Sequence, residues 1–380
     1  MPDFSFWSDG VLSQRQLREF CDAGILTGPE GLKDLCGESA IDLRIDGTVY
    51  KLKRGSVKPF GPRYLQDKDL VEPVSLESDG SVELKTAETY LLPVSERLEK
   101  RALLWSLGCH GQATAKSSIG RLDVLARLIV DGAKVYEGFT PECLRGSTGQ
   151  LFVEVTPITF PIMVRKGDKL TQLRFFKGSP ESVELKDPET SYRVLASSDQ
   201  SLTVSLEPTS ISESPDHSNI VAFRAEHNTT HDPIDLSKKG NGGTDPVPYW
   251  KPQSLGNGDY FEIEPNAFYI IRSAELISVP RDIAVYCRAS DEAVGEMRIH
   301  YAGFVHPRFG LDRTDGGCGT SLIFEVRGHN VPVLLAHGER MAKLILYRMS
   351  EPYQGDEDSA YGTQTLKLSN HFKPWPEKES

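Results

Sequence analysis

Apolar and polar positions alternate along most of the chain. VELKTAETYLLPV, QLFVEVTPITFPIMV, KLTQLRFF, YFEIEPNAFYIIRS, SLIFEVRGHNVPVLLA and MAKLILYRM are β-branched or aromatic runs cut by Gly, Pro and Asn. A period of two with such punctuation predicts strands. Helical spacing is rare. LSQRQLREFCDAGIL predicts one helix near the N-terminus, with Ser13 as its cap and Leu12, Leu17 and Phe20 as apolar positions. A second short helix is expected around residues 30–36. The pattern describes a mostly β protein with a few short helices.

The strand pattern also repeats. FVEVTPITFPIMVRKGDKLTQLRFF, from Phe152, lies over IFEVRGHNVPVLLAHGERMAKLILY, from Ile323, without a gap at an offset of 171. Glu154 falls on Glu325, Pro161 on Pro332, Gly167 on Gly338 and Leu173 on Leu344. Upstream, LKTAETYLLPVSE from Leu84 lies over IEPNAFYIIRSAE from Ile263, with Tyr90 on Tyr269. Two segments matched in the same order point to internal duplication. Residues 178–202 are polar and rich in Pro and Ser, so the division is expected there, giving domains of 1–195 and 196–380. Each is expected to be a distorted β-barrel or jelly roll, closed to hide its strand edges.

Composition narrows the function classes. The chain has 380 residues, 38% hydrophobic and 26% charged, as expected of soluble globular domains. No apolar run reaches the length of about eighteen residues needed to span a membrane, and MPDFSFWSDG does not read as a secretory signal. The formal net charge of −11 argues against broad nucleic-acid binding, which relies on basic residues. A few cations in one cleft still suffice for a small anion. The six cysteines are scattered, which suggests reduced thiols in a cytoplasmic protein rather than a disulfide framework or zinc knuckle. His337-Gly338-Glu339 imitates the H-x-E of zinc deaminases, but no cysteine follows Cys318 to complete such a site. It is expected to form a turn after a strand.

KSSIGRLD, residues 116–123, sets two hydroxyls between a lysine and an arginine in an acidic chain. A solvated turn is the bland explanation. The functional one is a phosphate cradle. Arg121 can fork onto phosphate oxygens. Lys116 adds a point charge, and Ser117, Ser118 and nearby N–H groups supply further donors. The stretch resembles the phosphate-binding motif of the dCTP deaminase and dUTPase superfamily. The whole chain, with its two halves, resembles the long two-domain bacterial 2'-deoxycytidine 5'-triphosphate deaminases. The likeness extends to GVLSQRQLREFCDAGIL, SAIDLRIDG, HYAGFVHPRFG with GTSLIFEV, and AYGTQTLKLSNHF.

This resemblance implies two tandem dUTPase-like β domains. It implies hydrolysis of dCTP to dUTP and ammonia by a carboxylate-activated water, without zinc and with Mg2+ accompanying the triphosphate. It also implies a homo-oligomer, with a trimer favoured. The two halves have diverged in complementary ways. The second half reads CRASDEAVGEMRIHYAG, with Ala289 and Ala293 where a serine and the phosphate-binding arginine are expected. It keeps the hairpin HYAGFVHP, whose counterpart LIVDGAKVYEGF is degenerate. A composite site follows. The first half holds the triphosphate through Lys116, Ser117, Ser118 and Arg121. The second holds base and sugar through His300, Tyr301, Ala302 and Gly303. Tyr361 and Gln364 match a closing segment over the phosphates.

Two glutamates in apolar strands are candidate bases. Desolvation of an inward carboxyl raises its pKa into the range useful for proton transfer. Glu325 is favoured because it follows the intact hairpin; Glu154 is the alternative. Two other functions stay open: a dUTPase or bifunctional enzyme, and a nucleotide sensor without turnover. The hairpin lacks the IDxxY-like pattern usual in a dUTPase, and both glutamates are present, which weakens each in turn.

Overall fold

Ser13 starts the first helix, as the pattern predicts, and Gln14–Asp22 is helical. The Ser13 hydroxyl accepts from Gln16 N at 3.3 Å, and Gln16 Oε1 accepts from Ser13 N at 3.0 Å. This reciprocal box satisfies two N–H groups that the first turn leaves without partners, a contribution of about 1 kcal/mol. The second expected helix is a single 3-10 turn, Leu32–Leu35, entered through Gly31 at a φ of 77°. The other helices are also short, and strands dominate. This computed structural model describes residues 4–53, 70–195, 199–211, 218–226, 232–256, 258–290, 297–300, 303–311, 319–355 and 366–376.

Alternation sets which side chains enter the core. Ile41–Arg44 buries every second residue, as a strand covered on one face does. Gln150–Pro157 and Lys169–Lys177 are buried on both faces over most of their length. They sit centrally and pair on both sides: Gln150–Pro157 with Tyr90–Leu98 and Val124–Val130, Lys169–Lys177 with Ile41–Arg44 and Cys109–Ala115.

The same strand order occurs twice. One sheet of the first half runs Gly10–Val11, Lys169–Lys177, Cys109–Ala115, Gly138–Phe139. In the second half the order is Glu184–Leu185, Arg340–Arg348, Ile283–Ala289, Gly303–Val305. The other sheet runs Val71–Pro73, Tyr50–Leu52, Tyr90–Leu98, Gln150–Pro157, Val124–Val130. Its counterpart runs Trp250–Ser254, Ile220–Ala225, Phe268–Ile277, Thr320–Gly328, Met297–His300. Ile162–Arg165 and Val333–Ala336 begin and end 171 residues apart, and so do Lys169–Lys177 and Arg340–Arg348. That is the offset read from the sequence.

The halves share apolar packing. Phe223, Trp250, Phe268 and Ile270 belong to one buried cluster with Leu92, Val155, Phe160 and Leu173. A second cluster, including Tyr269, Ile271, Val285 and Leu344, fills the second half. The C-terminal segment returns to the first cluster. The Phe372 ring lies 5.5 Å from Tyr249 and 6.3 Å from Phe160, centroid to centroid. Among the described residues no helix is long and apolar enough to cross a membrane.

Candidate functional site

Strand Cys109–Ala115 runs directly into KSSIGRLD. Lys116 is extended, and Ser117–Gly120 forms a single helical turn. Asp123, at a φ of 56°, then turns the chain into Val124–Val130. Aspartate tolerates this left-handed conformation better than most residues do. The turn puts Lys116, Ser117, Ser118 and Arg121 on the wall of a cavity of about 420 Å³. Gly303 and Glu325 of the second half line the same cavity. The expected phosphate and base elements thus meet within one chain. The volume suits a small-molecule site.

Glu325 lies on Thr320–Gly328, between Ile270 on one neighbouring strand and His300 on the other. It is 5% exposed. Gly120 presses against it: a Cβ there would stand 3.0 Å from Glu325 Oε2. The glycine of the phosphate motif therefore makes room for a carboxylate from the other half. Burial pushes the Glu325 carboxyl up to about 8, Arg121 acts against this rise, and Asp123 adds to it.

Asp123 fastens the two halves beside this carboxyl. It is fully buried. Arg327 Nη2 and Thr159 Oγ1 both donate to its Oδ2. Arg327 is two residues beyond Glu325 and so shares its face of the strand. The last residue of KSSIGRLD is thus tied to the strand that carries the candidate base.

Glu154 takes the corresponding strand position in the first half, yet it is not among the residues that line the cavity. Arg127, directly opposite on the next strand, donates from Nη2 to Oε1 at 2.8 Å. Tyr136, from the degenerate hairpin, donates to Oε2 at 3.0 Å. The Arg127 guanidinium lies 4.1 Å from the centre of the Tyr136 ring. This carboxylate is held by a cation and a phenol away from the cavity.

The tail reaches the phosphate turn. Ser369 Oγ donates to Ser118 O at 2.6 Å, and Arg121 Nη1 donates to Lys367 O at 3.1 Å. Tyr361 and Gln364 lie outside the described residues, as do Tyr301 and Ala302. Of His300 only the backbone pairing with Glu325 is described.

Other lining residues were not among the expected site residues, although Arg288 and Asp42 lie in the stretches CRASDEAVGEMRIHYAG and SAIDLRIDG. Lys239 and Arg288 add cations, and Asp34, Glu38 and Asp42 add carboxylates. Asp42 pairs with Lys116; it lies in SAIDLRIDG, so the family-like stretch was visible but its contact was not. His337 and Glu339 close a turn, as expected. His337 Nδ1 accepts from Leu206 N, and Glu339 Oε2 accepts from Ala336 N, both at 3.1 Å.

The model of the 2'-deoxycytidine 5'-triphosphate deaminase N-terminal domain matches residues 8–179. That of the C-terminal domain of the same enzyme matches residues 181–372. The chain belongs to the 2'-deoxycytidine 5'-triphosphate deaminase family. It is also similar to the crystal structure of 2'-deoxycytidine 5'-triphosphate deaminase from Agrobacterium tumefaciens. The TM-score is 0.78 at 27% identity, over 91% of this chain and 100% of that one. No curated protein sequence matches. Family membership supports a deaminase acting in nucleotide metabolism. The cavity draws on both matched segments, with Arg121 from the first and Glu325 from the second.

Proposed function

We propose that this protein hydrolyses dCTP to dUTP and ammonia in the cavity between its halves. The observation that carries this reading is the convergence there of Arg121 and a buried Glu325, with Gly120 against the carboxyl. The triphosphate lies against Lys116, Ser117, Ser118 and Arg121, with Tyr361 and Gln364 closing over it. The hairpin His300, Tyr301, Ala302 and Gly303 meets the base and sugar. Gly303, having no side chain, lets the main chain approach the pyrimidine edge.

Glu325 is the base. A carboxyl that titrates near 8 holds a proton well enough to take one from water and weakly enough to release it again. Water oxygen attacks C4 while its proton passes to Glu325. Glu325 returns that proton to ring N3, which leaves a tetrahedral C4 bearing both hydroxyl and amine. It then takes the C4 hydroxyl proton and passes it to the amine, the C4–N bond breaks as C4=O forms, and ammonia departs. Glu154, ion-paired outside the cavity, takes no part.

Mg2+ would accompany the triphosphate as part of the substrate and offset its charge. Asp34 and Glu38 on the wall are hard oxygen donors of the kind that Mg2+ accepts alongside phosphates. The reaction is proposed to need no zinc, since a carboxylate supplies the activated water.

Each half is read as a dUTPase-like distorted barrel or jelly roll that arose by duplication. The pairing of Glu184–Leu185 with Arg340–Arg348 favours a division upstream of residue 195. A cytoplasmic homo-oligomer, with a trimer favoured, that supplies dUTP for dTTP synthesis completes the reading, with neither nucleic acid nor membrane as partner.

The test is direct. The protein is incubated with dCTP and Mg2+, and nucleotides are separated by ion exchange. dUTP with equimolar ammonia supports the proposal. dUMP with pyrophosphate replaces it by a bifunctional enzyme. Unchanged dCTP that is still bound replaces it by a sensor.

A further inference from the structure

Ser39 is a fully buried hydroxyl between the two halves. Arg174 Nη2, from the first half, donates to its Oγ at 3.1 Å. His306 Nδ1, from the second half, lies 2.9 Å from the same oxygen. A serine hydroxyl has one hydrogen and two lone pairs, and a guanidinium can only donate. Arg174 therefore occupies one lone pair.

Two arrangements of the remaining contact can be compared. If Nδ1 carried a proton, it would take the second lone pair. The hydroxyl hydrogen would then be stranded, because among the described residues Ser39 Oγ has no partners but these two. A buried donor left unsatisfied is costly. If Nδ1 is bare, the hydroxyl hydrogen points at it and every group is satisfied. Burial, with Arg174 and Lys116 acting in the same direction and Asp42 against them, pushes the His306 pKa down to about 3, so the ring is neutral. A neutral ring with a bare Nδ1 carries its proton on Nε2. Nε2 has no hydrogen-bond partner among the described residues, and His306 lines the cavity beside Phe304. The Arg174 guanidinium stacks over that Phe304 ring at 3.9 Å and extends the same bridge between the halves.

We propose that His306 is a specificity-determining residue whose Nε2–H is donated to an acceptor oxygen of the bound nucleoside, with Ser39 and Arg174 fixing the tautomer. The inference rests on the reading of this cavity as the dCTP site. The oxygen belongs either to the sugar 3'-hydroxyl or to the pyrimidine 2-carbonyl. Both are uncharged acceptors of the same kind.

The tautomer is tested without nucleotide. Two-bond proton–nitrogen correlation spectra of the full chain, labelled with 15N-histidine, should show His306 protonated on Nε2 at neutral pH. An Nδ1–H ring or an imidazolium overturns the proposal, whatever the activity. Ligand contact is tested by calorimetry with dCTP, 2',3'-dideoxycytidine triphosphate and 2-thio-deoxycytidine triphosphate. His306→Phe keeps a ring but loses the donor, and should weaken dCTP binding about tenfold, as loss of one hydrogen bond does. His306→Gln retains an N–H near the Nε2 position and should restore much of the affinity. The penalty should disappear for the analogue that lacks the contacted oxygen: the dideoxy compound for the sugar, the thio compound for the base. An equal penalty with all three ligands, or none with dCTP, overturns the proposal while the deaminase reading stands. Failure of the unaltered protein to bind dCTP overturns both.

Discussion

Glu325→Gln should change stability with pH in a manner set by one proton. The folded carboxyl titrates at about 8 against an ordinary value of 4.5. Between these values the folded chain keeps a proton that the unfolded chain has released, so stability falls as pH rises. The Glu325 contribution is whole below 4.5 and levels off above about 8. Between them it declines by about 1.4 kcal/mol per pH unit. The loss reaches about 3 kcal/mol at neutral pH and about 5 kcal/mol once complete. Glutamine has nearly the same shape and cannot ionise, so the variant escapes this loss. Urea unfolding of both proteins in parallel, from about pH 5 to about pH 9, measures it. Groups that do not feel the Glu325 charge cancel in the difference. The variant should gain on the unaltered protein up to about pH 8 and hold that gain above it, while forming no dUTP. A flat difference would refute the claim that this cavity holds a protonated carboxyl, and normal dUTP formation would refute the claim that Glu325 is the base. In the unaltered protein kcat/KM should rise to a plateau above about pH 8, because the free enzyme must ionise Glu325 before it can accept a proton.

Arg121→Ala should weaken dCTP binding between about tenfold and a hundredfold, the range for a charged hydrogen bond, while deoxycytidine affinity is unchanged; unchanged dCTP affinity by calorimetry would refute the phosphate role. Glu154→Ala should cost about 2 kcal/mol in urea unfolding, below the range for a fully buried pair because Arg127 is 35% exposed, and should leave dUTP formation within a few-fold of normal. Abolished turnover in a folded Glu154→Ala protein would restore Glu154 as a catalytic candidate. Phe372→Ala should cost about 3 to 5 kcal/mol of core packing and raise the KM for dCTP, since the segment touching Ser118 and Arg121 loses its anchor; an unchanged KM would separate the tail from the phosphate site.

What the sequence made legible was local or periodic. Ser13 and Gln16 are three residues apart, so their box is visible in the pattern. The offset of 171 recovers strand pairs because apolar alternation survives when individual residues change. That each half keeps a different motif was also legible; that residues of both line one cavity is what the structure adds. The choice between Glu154 and Glu325 was harder, since both sit in similar apolar strands. It turns on what faces them: Arg127 and Tyr136 for one, Gly120 and an open cavity for the other. Strand register sets those neighbours, and no local spacing reports it. The Asp123–Arg327 pair and the Ser39 bridge join residues more than a hundred positions apart, so nothing in a short window announces them.

The meeting of Arg121 and Glu325 in a cavity of one polypeptide also has a kinetic meaning. A site assembled from separate chains closes by encounter, and its occupancy falls with dilution. Here the two motifs are tethered, so their local concentration is set by the connecting chain and not by how much protein is present. If the proposed dCTP site is this cavity, its rate per chain should not fall on dilution, because Arg121 and Glu325 line it from one polypeptide.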